Sequence, residues 1–353
     1  MRELLGIGNR WSEMEGRMKK YRVGIVGVGK IAQTYFSVFQ RMKTVEVVFL
    51  CDIVPEQMTK AVRAFPELLK NALQTDSTDK IFDAGVKVDS VVVATPLSSH
   101  FFLAQRVLRR GVCVFLEKPA TPTVRELEEL YALADANGTH FRTMFHYAYS
   151  PEVFHFSQLF PKWSETLGPL RAFVCDFLDA AVSGNRLVIS PRKQGGSCLS
   201  SGVNALSVAA QCMRLEGLRM QSRICRQVPD LIDRNEERVV PEVDTASVTE
   251  YFDPERQLFG VIRTDWEQGV NFKSTQLFYQ NGEVLLDHEA QSVHWTFWDA
   301  QIHFPSASFR SSVSPMERHY EVMFPELFFR AAWGPEVREN DLWIHRQLFE
   351  DVS

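Results

Sequence analysis

The sequence predicts an α/β domain with a doubly wound parallel sheet, followed by an α+β domain built on a mostly antiparallel sheet. Three observations carry this reading. Strands and helices alternate up to about residue 145, the pattern of a parallel sheet with crossover helices. A Gly-x-Gly-x-x-Ala turn, Gly27-Val28-Gly29-Lys30-Ile31-Ala32, joins the first strand to the first helix. After Pro151 the pattern turns to period-2 segments with few helices between them. The boundaries expected are a tail over 1–20, a dinucleotide-binding domain over 21–146 and a second domain over 147–353.

Taken in order, Val23 to Val26 is the first strand, and Ile31, Tyr35, Val38, Phe39 and Met42 share one face of the helix that follows. Val45–Leu50 reads as a second strand ending at Asp52. Val88–Ala94 is a buried strand stopped by Thr95-Pro96. A helix is expected from Phe101 to Arg110, closed by Gly111, then a strand over Val112–Leu116. Thr121-Pro122-Thr123 opens a helix that Gly138 ends. His140–Phe145 is the last strand of the series. In the second half, Leu170–Leu178, Thr245–Phe252, Gln257–Asp265, Phe272–Tyr279, Glu283–Asp287 and Val293–Trp298 alternate, with a hairpin turn at Asn281-Gly282. One helix is expected near Gly202 to Met213, and the tail from Met316 reads as helical. Gly184–Gly196 is a polar loop with Arg186, Arg192 and Lys193, either a plain surface loop or a flap beside a site.

Composition narrows the function classes. The net charge is −5 with no basic stripe, which argues against nucleic acid as a partner. Six cysteines form no C-x-x-C pair and no zinc spacing, the usage of buried thiols in a reducing compartment. No apolar run has the length of a membrane span, and residues 1–20 lack an apolar leader core. The expectation is a cytoplasmic protein with a small-molecule substrate, no metal and no membrane partner.

The chemistry concentrates at strand ends. Gly27 permits the tight turn and Gly29 lets a pyrophosphate approach, while Val28, Lys30 and Ile31 complete the cradle at a helix N-terminus. Asp52 ends the second strand, where its carboxylate either accepts from ribose hydroxyls or caps a helix. The first role favours NAD over NADP. Thr95, Pro96 and His100 follow the next buried strand; His100 contacts cofactor or substrate, or bonds to backbone. Glu117-Lys118-Pro119 follows five apolar strand residues, so Lys118 is expected to face the nicotinamide and take part in proton transfer.

These residues resemble the Gfo/Idh/MocA family (glucose-fructose oxidoreductase, inositol dehydrogenase and relatives). The matching positions are Gly27 to Ala32, Asp52, Ala94-Thr95-Pro96 with His100, and Glu117-Lys118-Pro119-Ala120. Phe145 to Pro151 resembles the strand leading out of the nucleotide domain. Gln194-Gly195-Gly196 to Asn204 resembles the start of the family's helix facing the nicotinamide. The resemblance implies a Rossmann domain, a C-terminal open-faced sheet, bound NAD(P), and oxidoreduction of a sugar, cyclitol or related alcohol or carbonyl compound, with imine reduction or a transient oxidation and reduction cycle as variants. It also implies a homo-dimer or homo-tetramer formed through the open sheet.

The chain departs from the family at one place. Where members commonly carry Asp and His to assist the lysine, this sequence has Ser200 and Asn204. Neither can shuttle a proton as those pairs do, though both can orient a substrate. Lys118 is then the clear titrating group, with His146 or Tyr147 as further proton donors. The alternative is a catalytically impaired NAD(P)-binding sensor on the same fold.

Overall fold

Strand β1 (Tyr21–Val26) runs through the glycine turn into α1 (Lys30–Arg41), then β2 (Val45–Cys51) and α2 (Pro55–Ala64). The computed structural model describes residues 20–183, 186–187, 196–227, 244–299, 301, 306–329 and 334–349. The expected tail up to residue 19, Arg192, Lys193 and Gln194-Gly195 lie outside the described residues. The series continues with β3 (Leu73–Thr75), α3 (Thr78–Asp83), β4 (Ser90–Val93), α4 (Leu97–Leu108), β5 (Cys113–Glu117), α5 (Val124–Ala136) and β6 (Phe141–Met144). All six strands are parallel, in the order β3-β2-β1-β4-β5-β6. The chain builds outward from β1 to one side and then returns to build from β4 to the other. The carboxyl ends of β1 and β4 therefore flank a topological switch point, where open α/β sheets bind ligands.

The strands are nearly all apolar because both faces of this sheet are covered. Val26, Val91, Val93, Val114 and Leu116 share a core with Leu127, Leu130 and Tyr131 of α5. Of the expected α1 face, Tyr35, Val38 and Phe39 are buried, joined by Phe36. Helix α4 starts at Leu97 rather than Phe101. Pro96 is its N-cap, so the strand-stopping proline also opens the helix.

The chain divides into two compact units, the first running to Met144 and adding Met316–Leu342. The sequence had assigned all of 147–353 to the second domain. A helix over Pro315–Phe329 instead packs its aromatic face into the first unit. Phe324 lies 4.6 Å from Phe39, Phe328 stacks at 4.6 Å on Tyr21, and Tyr320 meets Tyr35 edge-on at 4.9 Å. Each of these contacts sets ring against ring, and buried aromatic side chains contribute a large apolar area.

The second unit runs Phe145–Pro315 and takes up the chain again from Trp343. It opens with a 3₁₀ turn, His146–Tyr149, and then α6 (Pro151–Leu167). The period-2 reading missed α6. Its Phe, Trp and Val content suits strands, and Pro161 lies inside it. The signals that it is a helix were Pro151 at its first position and Gly168 at its end, with φ 73°. There follow β7 (Leu170–Leu178), α7 (Val203–Cys212), β8 (Arg219–Arg226), β9 (Ala246–Asp253), β10 (Leu258–Asp265), β11 (Phe272–Tyr279), β12 (Gly282–Asp287), β13 (Ser292–Phe297) and β14 (Ala307–Ser308). These strands form a sheet in the order β8-β9-β10-β7-β11-β12-β13-β14, antiparallel except for the parallel pair β7 and β10. The expected polar loop at 184–196 opens with a short ladder, Val182–Ser183 against Arg186–Leu187. Helices α6 and α7 cover one face, on which Trp266, Trp295 and Phe297 are buried, while Trp298 is exposed. Among the described residues no helix is long and apolar enough to cross a membrane. Nor does any group of three or more His, Cys, Asp or Glu side chains there have the arrangement to hold a metal ion.

Candidate active site

Gly27 adopts φ 91°, and a Cβ built on it would lie 2.4 Å from the Ala94 carbonyl oxygen. Only glycine lets β1 turn this tightly against the end of β4. Gly29 is different. It is the N-cap of α1, its φ is an ordinary −78°, and a Cβ there would meet nothing within 4 Å. The helix has no side-chain cap and no acidic residue in its first turn. By contrast α5 is capped by the Thr123 hydroxyl, which accepts from the Glu126 N–H at 3.2 Å. The start of α1 thus presents uncapped N–H groups and a positive dipole end over open space, which fits a pyrophosphate. Val28 is buried beneath the turn, Ile31 is half-buried and Lys30 is exposed.

Asp52 is tied into this cradle. One carboxylate oxygen accepts from the Val28 N–H at 2.7 Å and the other from the Val54 N–H at 2.8 Å. Each oxygen keeps a second lone pair, so the carboxylate braces the glycine turn and can still accept from ribose hydroxyls. It is not the N-cap of α2, which is Val54.

Both ring nitrogens of His100 face backbone carbonyls: Nε2 lies 2.7 Å from the Thr95 oxygen, and Nδ1 lies 3.1 Å from those of Pro119 and Ala120. The ring is buried. Of its two alternatives, the backbone role is the one the geometry displays: His100 joins the loop after β4 to the loop after β5. Thr95 beside it accepts from the Ser99 hydroxyl at 2.8 Å. Burial holds the His100 imidazole below the usual range, against the opposing pull of the Thr95 carbonyl and Glu117. With the folded pKa depressed, the unfolded chain binds more protons in acid. This contribution to stability is present above the unfolded imidazole pKa and is lost as pH falls. We expect His100→Phe to lower stability by about 1–3 kcal/mol at pH 7.5 and to lose less stability than the native chain between pH 7 and 5. Urea melts at the two pH values check both, and equal acid sensitivity would sink the assignment.

Glu117 and Lys118 end β5. The Glu117 Oε1 accepts from the Tyr35 hydroxyl and, at 2.9 Å, from the Tyr320 hydroxyl, while Oε2 accepts from the Lys118 N–H at 3.1 Å. Burial and the adjoining carboxylate hold both phenols well above their usual range, so they remain donors. Lys118 is half-buried, and the Lys118–Pro119 bond is cis. Glu117 therefore acts as a backbone anchor for Lys118. Tyr320 was not legible as part of this arrangement: it lies more than 200 positions away, and nothing local marks it.

In the second unit, Ser200 lies in a π-helical turn, Cys198–Gly202, that leads into α7 and Asn204. Such turns recur at functional sites. Gly196, φ 81°, precedes it because the Asp244 carboxylate fills the space a Cβ would take, at 2.2 Å. That carboxylate accepts from the Ser197 hydroxyl at 2.5 Å and the Cys198 N–H at 2.8 Å. Asn204 is 7% exposed; its amide nitrogen donates to the Ser200 carbonyl at 3.4 Å, and its Oδ1 is buried without a partner among the described residues. His146 is buried and lies against Tyr147, 4.8 Å between centroids. The turn that carries both packs on α7.

The Gfo/Idh/MocA family model, described as an oxidoreductase family with an NAD-binding Rossmann fold, matches residues 21–145. The chain is similar to a glycosyl hydrolase family 109 protein of Saccharopolyspora erythraea, 32% identical over 124 residues, 34% of this chain and 27% of that protein. It is 24% identical over 137 residues, 38% of this chain and 41% of the relative, to the rhizopine catabolism protein MocA of Rhizobium meliloti. The matches thus span between a quarter and two fifths of these relatives' lengths. Among solved structures, GenD2 from gentamicin A biosynthesis, in complex with NAD, shares the fold with a TM-score of 0.74 at 17% identity, over 94% of this chain and 93% of that one. With the glycine turn, Asp52, Thr95-Pro96 and Glu117-Lys118-Pro119 all at carboxyl strand ends, residues 21–145 match the NAD-binding Rossmann domain of the Gfo/Idh/MocA oxidoreductase family.

Proposed function

We propose that this protein is an NAD-dependent, cytoplasmic dehydrogenase or reductase acting on the alcohol or carbonyl carbon of a sugar, cyclitol or related compound. The observation that carries the reading is Lys118, placed at the carboxyl end of β5 beside the switch point and fixed through its backbone by a carboxylate that two buried tyrosines hold. Bound nicotinamide would accept or donate the hydride. The Lys118 ammonium holds the substrate oxygen and exchanges a proton with it as the carbon changes oxidation state. The Asn204 Oδ1, buried and without a hydrogen-bond partner among the described residues, is assigned to accept from a substrate hydroxyl. Ser200 and His146 complete the orientation. Gly27, Val28, Gly29, Lys30 and Ile31 seat the pyrophosphate, and Asp52 the ribose. Thr95, Pro96, His100 and Glu117 shape the loops around them. Copies associate over the outer face of the second sheet, where Ile224, Phe259 and Phe272 are exposed.

Two measurements test this. In fluorescence titrations NADH should bind at least about tenfold tighter than NADPH, because Asp52 repels a 2′-phosphate; tighter NADPH binding refutes that role. Turnover is then sought with a panel of sugars and cyclitols. NADH binding without turnover of any of them would instead support the sensor.

A further inference from the structure

The expectation of buried thiols holds for Cys51, Cys175 and Cys212 and fails at Cys225, which is exposed. Cys225 stands on the edge strand β8, directly opposite Ser247 of β9. Its neighbour Ile224 is paired with Val248, and both of those are exposed on the outer face. Strand alternation therefore turns Cys225 to the opposite face, beside the buried Ser247. Residues so paired have Cβ atoms about 5 Å apart.

Cys198 reaches the same place from the other side. It opens the π-helical turn Cys198–Gly202, and the Ser247 hydroxyl is within hydrogen-bond reach of its thiol. The turn is fastened to the segment that carries Ser247. Ser197 Oγ lies 2.9 Å from Thr264 Oγ1, which lies 2.8 Å from Ser247 Oγ. The Ser197 N–H donates to the Asp244 carbonyl at 2.9 Å, and the Cys198 N–H donates to the Asp244 carboxylate at 2.8 Å. One residue on, the Thr245 N–H donates at 2.8 Å to the carbonyl of Arg226, next to Cys225. Residues 244–247 thus touch both the turn and the edge strand, and Ser247 neighbours both thiols. Burial pushes the Cys198 thiol up to about 11 and raises Cys225 as well. Asp244 adds to both rises and Arg223 opposes both, so the two thiols share one electrostatic neighbourhood. Thiols protonated at neutral pH react slowly. Such a pair stays reduced where small thiols are in excess and closes under sustained oxidation.

We infer that Cys198 and Cys225 are a redox pair, which a small disulfide such as oxidised glutathione joins into a clasp between the π-helical turn and the edge strand. The exposed Cys225, as thiolate, attacks one sulfur of the small disulfide, and one small thiolate leaves. Cys198, as thiolate, then attacks the Cys225 sulfur; the protein S–S bond forms and the second small thiolate leaves. The two cysteine protons end on the two small thiols. The protein is oxidised by two electrons and the small disulfide is reduced by two, and an excess of small thiol reverses both steps. Disulfides in reducing compartments serve in this way, as transient redox sensors. What the clasp controls follows from where it grips. The turn carries Ser200 and leads into α7 with Asn204. Within it, Ser201 donates to Asp179 Oδ2 at 2.6 Å and accepts from the buried Trp266 indole at 3.1 Å. A covalent tie at Cys198 restrains this turn and with it the two residues assigned to orient the substrate. The pairing stands without the oxidoreductase reading, and its effect on turnover rests on that reading.

The test uses the full native chain, incubated with oxidised glutathione, alkylated, digested without reductant and read by peptide mass spectrometry. A Cys198–Cys225 linked peptide should form and disappear on treatment with dithiothreitol. In Cys225→Ser, a change at an exposed position, the linked peptide should be lost. In Cys198→Ser, checked for folding by its melt, a glutathione adduct should accumulate on Cys225, because the resolving thiol is gone. Amide exchange over 198–204 should slow by at least about fivefold in the oxidised native chain, as expected for a restrained segment, and stay unchanged in oxidised Cys225→Ser. Absence of the linked peptide, Cys225 joined to a different cysteine, or a Cys225 adduct as abundant in the native chain as in Cys198→Ser overturns the pair. A linked peptide with unchanged exchange over 198–204 overturns the clasp. None of these readouts uses a substrate, so their failure leaves the oxidoreductase reading standing, and a failed search for turnover leaves the pair standing.

Discussion

Replacing Lys118 with alanine is expected to reduce turnover by about 10²–10⁴-fold, the usual contribution of a positioned proton-transfer group, while NADH affinity changes by less than about threefold. The separation follows from the architecture. The pyrophosphate seat is built from the backbone of Gly27, Gly29 and the start of α1, and the ribose seat from Asp52, itself held by two backbone N–H groups. None of the contacts just named involves the Lys118 side chain. Glu117 stays anchored by Tyr35 and Tyr320 in the variant, so the end of β5 keeps its course. Lys118→Arg sharpens the experiment, because a guanidinium keeps the charge but does not release a proton in the working pH range. If the lysine acts by proton transfer, arginine should be almost as inactive as alanine. If it acts only by charge, arginine should recover most of the rate. Single-turnover hydride transfer followed by nicotinamide absorbance, paired with NADH titrations, reads both quantities. Unchanged turnover in Lys118→Ala would remove the assignment, and loss of NADH binding would recast Lys118 as a cofactor ligand.

The candidate site residues legible in the sequence are those whose placement depends on local geometry. A strand running into Gly27-Val28-Gly29 can be recognised because turn, amide cradle and helix start are contiguous. Asp52, Thr95-Pro96 and Lys118 follow the same logic: each stands one or two positions after an apolar run, and parallel topology brings those ends together. The backbone role of His100 was legible as one of two alternatives, but its partners Pro119 and Ala120 were not, since they lie in another loop. The anchoring of Glu117 by Tyr320 was hidden altogether, because a phenol in the C-terminal segment carries no local sign of its target. The second half was read less well for a different reason. Helix α6 has aromatic residues that favour strands and an internal proline, so propensity misled where the Pro151 and Gly168 boundary signals held the answer. Strand β8, Arg219–Arg226, lies at a sheet edge with a mostly polar sequence, and an edge strand needs no apolar alternation to be paired on one side.

The two glycines of the turn should respond in opposite ways to the same methyl group. In Gly27→Ala the new Cβ would lie 2.4 Å from the Ala94 oxygen, 2.7 Å from its carbonyl carbon and 2.9 Å from Thr95 Cγ2, at φ 91°. Backbone atoms cannot swing aside as a side chain can, so either β1 or β4 must shift at the centre of the sheet. Strain at such a φ costs about 1–3 kcal/mol, and the clash adds to it. A loss of about 3–5 kcal/mol is expected, in the range of severe core defects. NADH binding should fall with it. Gly29→Ala meets nothing within 4 Å and keeps a permitted φ of −78°. Its stability should stay within about 1 kcal/mol of the native chain, the difference between glycine and alanine at an N-cap. Yet the space above Gly29 is where the pyrophosphate is proposed to approach, so NADH affinity should fall by at least about tenfold, as one lost close contact to a charged group would give. Urea melts and NADH titrations on the pair separate fold from site. If Gly29→Ala binds NADH as well as the native chain does, the nucleotide does not pass over that residue, and the uncapped start of α1 needs another explanation.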